Sequence, residues 1–101
     1  MFWKERLMIT VIFEYDIAAE NQDAYVQATR EKIKPLWESI GCKAYDIWQV
    51  KESETAFVKT MLFEDAAAMK AAMADEKADA VKELFYKYAQ NISRKVCFKK
   101  T

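Results

Sequence analysis

Apolar and polar positions alternate from Met8 to Ile17, and this alternation predicts a strand. Ile9, Val11, Phe13, Tyr15 and Ile17 make one face wholly apolar. Met8, Thr10, Ile12, Glu14 and Asp16 make the other face, which turns polar towards its end. The period then changes. Tyr25, Thr29, Ile33, Leu36, Trp37 and Ile40 recur at helical spacing, so 21–40 reads as a helix with Asn21 as its N-cap. Pro35 should kink that helix or begin a second piece, and Gly41 stands where a left-handed C-cap wants glycine.

Alternation returns in 42–50, where Tyr45 and Ile47 share one face and Ala44, Trp48 and Val50 the other. The polar turn 51–55 joins this strand to a third, 56–63, and the two should form a hairpin. Phe57, Met61 and Phe63 share one face of the third strand, and Val58 and Leu62 the opposite one. Asp65 caps a second helical region with two apolar stripes. Met69, Ala72 and Met73 form the first; Ala78, Val81, Leu84, Phe85 and Tyr88 form the second. The polar Asp75, Glu76 and Lys77 between them predict a bend. A last strand is expected over 93–100, where Val96 and Phe98 alternate with Lys95, Cys97 and Lys99.

The predicted order is β-α-β-β-α-β, an α+β, ferredoxin-like domain with a four-stranded antiparallel sheet and its helices on one face. One such domain over 8–101, preceded by an extension at 1–7, accounts for the 101 residues. Large apolar residues on both strand faces leave one sheet face without cover, and pairing of two copies through that face is expected.

Composition narrows the chemistry. Hydrophobic residues make up 52% of the chain and charged residues 32%, which excludes a disordered chain. Sixteen basic and sixteen acidic residues cancel, so the phosphate-binding footprint of a nucleic-acid partner is not expected. The basic cluster Arg94, Lys95, Lys99 and Lys100 reads as protection of an edge strand. No stretch is long and apolar enough for a membrane span. The apolar run at 7–13 is too short for a secretory leader and lacks a cleavage site. Cys42 and Cys97 are therefore expected as reduced thiols of a cytoplasmic protein. In the expected strand order the second and fourth strands are opposite edges, too far apart for a bridge within one chain. The chain has no histidine, which removes the commonest general base and metal ligand together, and no zinc-type cysteine spacing exists. Neither a metal nor another cofactor is expected.

The segment Gly41-Cys42-Lys43-Ala44-Tyr45-Asp46-Ile47, then Phe57-Val58, then Phe63-Glu64-Asp65-Ala66-Ala67-Ala68-Met69, resembles the antibiotic biosynthesis monooxygenase-like family of dimeric α+β barrel proteins. Lys77-Ala78 and Phe85 extend the likeness, which runs through nearly the whole domain from Met8. The resemblance implies a homodimer whose sheets close a barrel, with a pocket between sheet and helices in each subunit. Some relatives oxygenate aromatic polyketides without metal or flavin. Others degrade haem with an Asn, Trp and His set, and this chain departs from that pattern: Val81 lies near the ligand position and Phe63 near the tryptophan position.

Tyr25, Trp37, Tyr45 and Phe85, with Trp48 as a further candidate, are the expected wall of a small aromatic ligand's pocket. The competing reading makes the same residues ordinary core. Tyr45 and Trp48 differ in parity, so only one can face the helices; Tyr45 is assigned there because it lies in the motif after Gly41. Glu14 or Asp16 could serve as a buried base, Arg30 or Arg94 could meet an anionic ligand, and Met61, Met69 and Met73 could line a pocket. Each also has a plain structural explanation. Two functions stay open: a small-molecule-binding homodimer acting as a cofactor-independent monooxygenase on an aromatic or quinol-type substrate, and a non-catalytic dimerisation or ligand-sensing module.

Overall fold

A computed structural model describes residues 7–101; the first six residues of the expected extension 1–7 lie outside the described part. Strand β1 (Ile9–Ile17) is followed by a single 3-10 turn and then by helix α1 (Gln22–Ala28), a π-helical turn (Thr29–Ile33) and helix α2 (Lys34–Ser39). Strands β2 (Ala44–Gln49) and β3 (Ala56–Phe63) form the hairpin. Helices α3 (Ala66–Ala74) and α4 (Asp79–Tyr88) follow, and strand β4 (Ala89–Phe98) closes the fold. The sheet is antiparallel in the order β2-β3-β1-β4, the ferredoxin-like arrangement that the alternation predicts.

The local rules act where the sequence places them. The Asp65 side chain accepts a hydrogen bond from the Ala68 N–H at 2.8 Å and starts α3. Asp75 accepts from the Lys77 N–H at 2.9 Å and turns the chain between α3 and α4. Pro35 sits in the first turn of α2. The N–H before it, on Lys34, reaches back to the Thr29 carbonyl five residues earlier, so the wide turn makes room for the proline ring. Asn21 precedes α1 but makes no capping side-chain bond. Gln22 ties the helix down instead, donating to the Ile17 carbonyl at 3.0 Å and to the Glu54 carbonyl at 2.5 Å.

Two boundaries move from the sequence reading. β2 is shorter than 42–50, because Cys42 is still bonded to the preceding helix through its N–H on the Trp37 carbonyl at 3.0 Å. β4 begins at Ala89 rather than at Ser93. Asn91 there has φ of 54°, and the pairing with β1 shifts register between Glu14 and Asp16. That irregularity breaks the alternation by which a strand is recognised.

The core lies between the helices and the face of β1 and β3 carrying Ile9, Val11, Phe13, Tyr15, Ile17, Phe57, Met61 and Phe63. Tyr25, Ile33, Trp37, Ala72, Val81 and Phe85 reach it from the helices. On the opposite face Ile12, Val58 and Leu62 are half-buried between polar neighbours, and Trp48 is 61% exposed. β2 and β4 are opposite edges of the sheet. They carry Cys42, just before β2, and Cys97, in β4, far apart as free thiols.

Candidate functional site

Pairing across the sheet sets Ile47, Lys59, Phe13 and Arg94 side by side, one from each strand. Directly paired residues project on the same side, so all four face the helix layer. Lys59 therefore enters the core side of the sheet, and it is only 3% exposed. Lysine is among the residues least often buried without a partner. Yet among the described residues its ammonium has no hydrogen-bonding or ion-pair partner. It lies instead over aromatic rings, 3.5 Å from the Phe85 centroid, 4.3 Å from Phe13 and 5.3 Å from Tyr45. The ring faces offset part of the desolvation cost of the charge. Burial still pushes the Lys59 ammonium down to about 7, so at neutral pH a substantial share of the amine is free base.

A cavity of about 300 Å³ opens above this amine. Phe13, Lys59 and Met61 form its floor, Trp37, Met73, Val81 and Phe85 its walls, and Lys82, Tyr86 and Arg94 its mouth. The helical sequence explains the arrangement. Val81 and Phe85 are four residues apart on the buried stripe of α4, and Lys82 and Tyr86 follow each of them on the flank. Lys82 is held there by donating to the Met73 carbonyl. Arg94 is exposed and, among the described residues, makes no ion pair or hydrogen bond. No carboxylate lines the cavity among the described residues.

Two of the residues expected to wall a pocket, Trp37 and Phe85, do so. Tyr25 is fully buried one layer away. It stacks edge-on against Tyr15 and Phe57, and its hydroxyl meets the Tyr15 hydroxyl at 2.5 Å. Burial raises both phenols, Tyr25 to about 12. Tyr45 faces the helices as the motif suggests, but it is fully buried beside Lys59 and not on the cavity surface. Its hydroxyl finds no partner among the described residues, and burial, with Tyr25 and Cys42 nearby, drives its pKa well up. Trp48 lies on the opposite sheet face and has no part in the cavity, a correction that follows from its parity.

Neither acidic candidate lines this cavity. Asp16 accepts from Thr55 Oγ1 at 3.0 Å and Asn91 Nδ2 at 2.9 Å, and exposed Glu14 approaches Lys95 at 3.9 Å. Arg30 lies in a separate surface hollow with Lys34 and Asp46. Of the methionines, Met61 and Met73 line the cavity and Met69 does not. Lys59 escapes the sequence reading. Its only signal is parity with Phe57, Met61 and Phe63, and a lysine at an apolar position usually marks where a strand meets solvent. Among the described residues no cluster of metal-ligating side chains forms, and no helix is long and apolar enough to cross a membrane.

Comparison with known families decides the classification. Residues 8–84 match the family described as antibiotic biosynthesis monooxygenase. The chain belongs to that family. The match includes β1, the hairpin and the cavity residues through Lys82, and it stops short of Phe85, Tyr86 and Arg94. Solved structures share the antibiotic biosynthesis monooxygenase fold. A conserved protein from Methanosarcina mazei has a TM-score of 0.78 at 14% identity, covering 99% of this chain and 100% of that one. A protein from Bacteroides thetaiotaomicron of unknown function, described as a possible oxidoreductase, has a TM-score of 0.77 at 15% identity, covering 93% and 99%. A point variant of SnoaB, a cofactor-independent oxygenase from Streptomyces nogalater, has a TM-score of 0.76 at 9% identity, covering 93% and 94%. No curated protein matches the sequence significantly.

Proposed function

We propose that this protein binds a small aromatic or quinol-type molecule in the cavity above Lys59 and oxidises it with molecular oxygen, as a cofactor-independent monooxygenase. One observation carries the reading: an aromatic-walled cavity whose floor holds a buried amine with no polar partner among the described residues. Oxygen reacts with electron-rich anions, and a phenol becomes one on losing a proton. Free-base Lys59 accepts that proton, since a general base works best when its pKa lies near the working pH. The resulting ammonium–phenolate pair is held where water is scarce and its attraction strong. Oxidation of an activated ring CH2 to a carbonyl then takes up one O2 and releases one water, so the electrons balance with no external reductant. Family membership and the likeness to SnoaB support this chemistry.

The test is incubation of the protein with a panel of phenols and hydroquinones in air and under nitrogen, with product formation and oxygen uptake both recorded. Turnover in air that disappears under nitrogen, and falls at least tenfold in Lys59→Met, is expected. Saturable binding with no oxygen uptake assigns the cavity to a ligand-sensing module instead.

The chain also works as a homodimer in this proposal, joined through the sheet face opposite the helices. Exposed Trp48 and half-buried Ile12, Val58 and Leu62 on that face support the assignment, because apolar surface of this kind gains roughly 25 cal/mol per Å² on burial. Light scattering at micromolar concentration should give twice the chain mass, and Trp48→Glu should lower it towards the single-chain value.

A further inference from the structure

Three basic side chains, Lys59, Lys82 and Arg94, line a cavity of about 300 Å³ that has no acidic side chain among its described lining residues. The protein as a whole carries no net charge, so this local excess is not a reflection of its composition. Lys82 is occupied by the Met73 carbonyl. Lys59 and Arg94 have no polar partner among the described residues, and they flank one residue, Phe13, from its two neighbouring strands. Their backbones are therefore two strand spacings apart, roughly 10 Å. One basic group is at the floor and the other at the mouth, with the Phe13 ring between their strands.

We propose that the ligand of this cavity is an aromatic hydroxy acid, its ring lying over Phe13 between the walls of Trp37 and Phe85, its hydroxyl at Lys59 and its carboxylate on Arg94. The inference rests on the binding role proposed above and adds the ligand's second charge. A guanidinium stays charged throughout the working pH range and grips a carboxylate with two parallel hydrogen bonds, which suits it to a permanent anion at the solvent edge. The amine suits the group that must lose a proton. The cavity volume lies at the small end of ligand sites, which fits a ligand of one or two fused rings.

The experiment is calorimetric titration of the purified protein and of Arg94→Gln and Lys59→Met with three probes. These are 6-hydroxy-2-naphthoate, 2-naphthol without the acid, and 2-naphthoate without the hydroxyl. Hydrogen bonds to charged groups predict that the hydroxy acid binds the parent about 10- to 100-fold more tightly than 2-naphthol. Arg94→Gln should erase that advantage while 2-naphthol affinity stays within about twofold. Lys59→Met should weaken 2-naphthol and the hydroxy acid and leave 2-naphthoate less affected. Equal affinity for 2-naphthol and the hydroxy acid, or an acid preference that survives Arg94→Gln, overturns this inference and leaves the aromatic cavity standing. If none of the three binds, the cavity's ligand-binding role and this inference both fall.

Discussion

The Lys59 ammonium nitrogen stands 3.5 Å from the centre of the Phe85 ring, which makes a cation and an aromatic face each other's nearest specific partners inside the core. This contact joins β3 to α4 at the base of the cavity. It also sets the cost of keeping the amine there.

That cost has a definite pH dependence. The buried amine titrates at about 7, against 10.5 for the unperturbed side chain. Between these values the unfolded chain holds a proton that the folded chain has released, so raising the pH through this window stabilises the fold. Below pH 7 both states are protonated and the full burial penalty applies. Above pH 9 the sign reverses, because Cys42, Tyr15, Tyr25 and Tyr45 all have raised values in the fold and ionise first in the unfolded chain. The unfolded thiol of Cys42 titrates near 9.0, so the window from 7 to about 8 isolates Lys59. We expect Lys59→Met to gain on the order of 2 kcal/mol of stability near pH 7 and less near pH 9, the depressed pKa outweighing the lost ring contact. Urea melts at several pH values measure it. A variant that is less stable than the parent at pH 7 contradicts the assignment of a buried amine without a polar partner among the described residues.

The Tyr15–Tyr25 hydroxyl pair predicts non-additivity. Either single change to phenylalanine leaves the other hydroxyl buried without its partner, at a cost of about 1 to 3 kcal/mol. The double variant removes both polar groups and should be less destabilised than the sum of the singles. A coupling of at least about 0.5 kcal/mol in a double-mutant cycle is the expected result, read from chemical denaturation.

Tyr45→Phe should be neutral or stabilising by up to about 1 kcal/mol, because it deletes a buried hydroxyl that has no partner among the described residues. Tyr45→Ala should cost about 3 to 5 kcal/mol through the void it leaves beneath Lys59. Thermal unfolding of the two variants reads both effects. A large loss in Tyr45→Phe identifies a hydrogen bond made by that hydroxyl.

Gly41 has φ of 120°, and a Cβ built there meets nothing within 4 Å. Gly41→Ala should therefore destabilise through backbone strain alone, by about 1 to 2 kcal/mol. Changing the residues around it will not relieve the loss, as no contact causes it. Unfolding measurements on Gly41→Ala, alone and with Lys43→Ala, test this.

The fold is legible in the sequence because its rules are local. Alternation at Ile9–Ile17 and Ala56–Phe63, the Asp65 cap and the Pro35 break each act within a few residues. The site is less legible because it depends on which face is covered and on where the helices leave a gap. Parity separates Tyr45 from Trp48 but cannot tell which of them the helices cover. Tyr25 and Tyr45 belong to the densely packed part of the layer, whereas the gap lies under α4, over β1 and β3. Lys59 has the parity of core residues and the chemistry of surface ones, and only the packing resolves the conflict. The start of β4 at Ala89 is hidden in the sequence because Asn91 interrupts the alternation with a left-handed residue.

The wide turn at Thr29–Ile33 has an angular consequence. In an unbroken α-helix each residue advances about 100°, so Tyr25 and Trp37, twelve positions apart, would point about 120° away from each other. A turn that closes one residue later advances only roughly 80° per residue, and five such residues bring the two rings to within roughly 30° of a common direction. Both then reach the sheet, Tyr25 into the core and Trp37 onto the cavity wall. The extra residue acts as a phase correction between the two halves of the helix. Deleting one residue here would restore a regular spiral with the two rings eleven positions apart, about 20° from a common direction, so the indole would keep its place on the cavity wall.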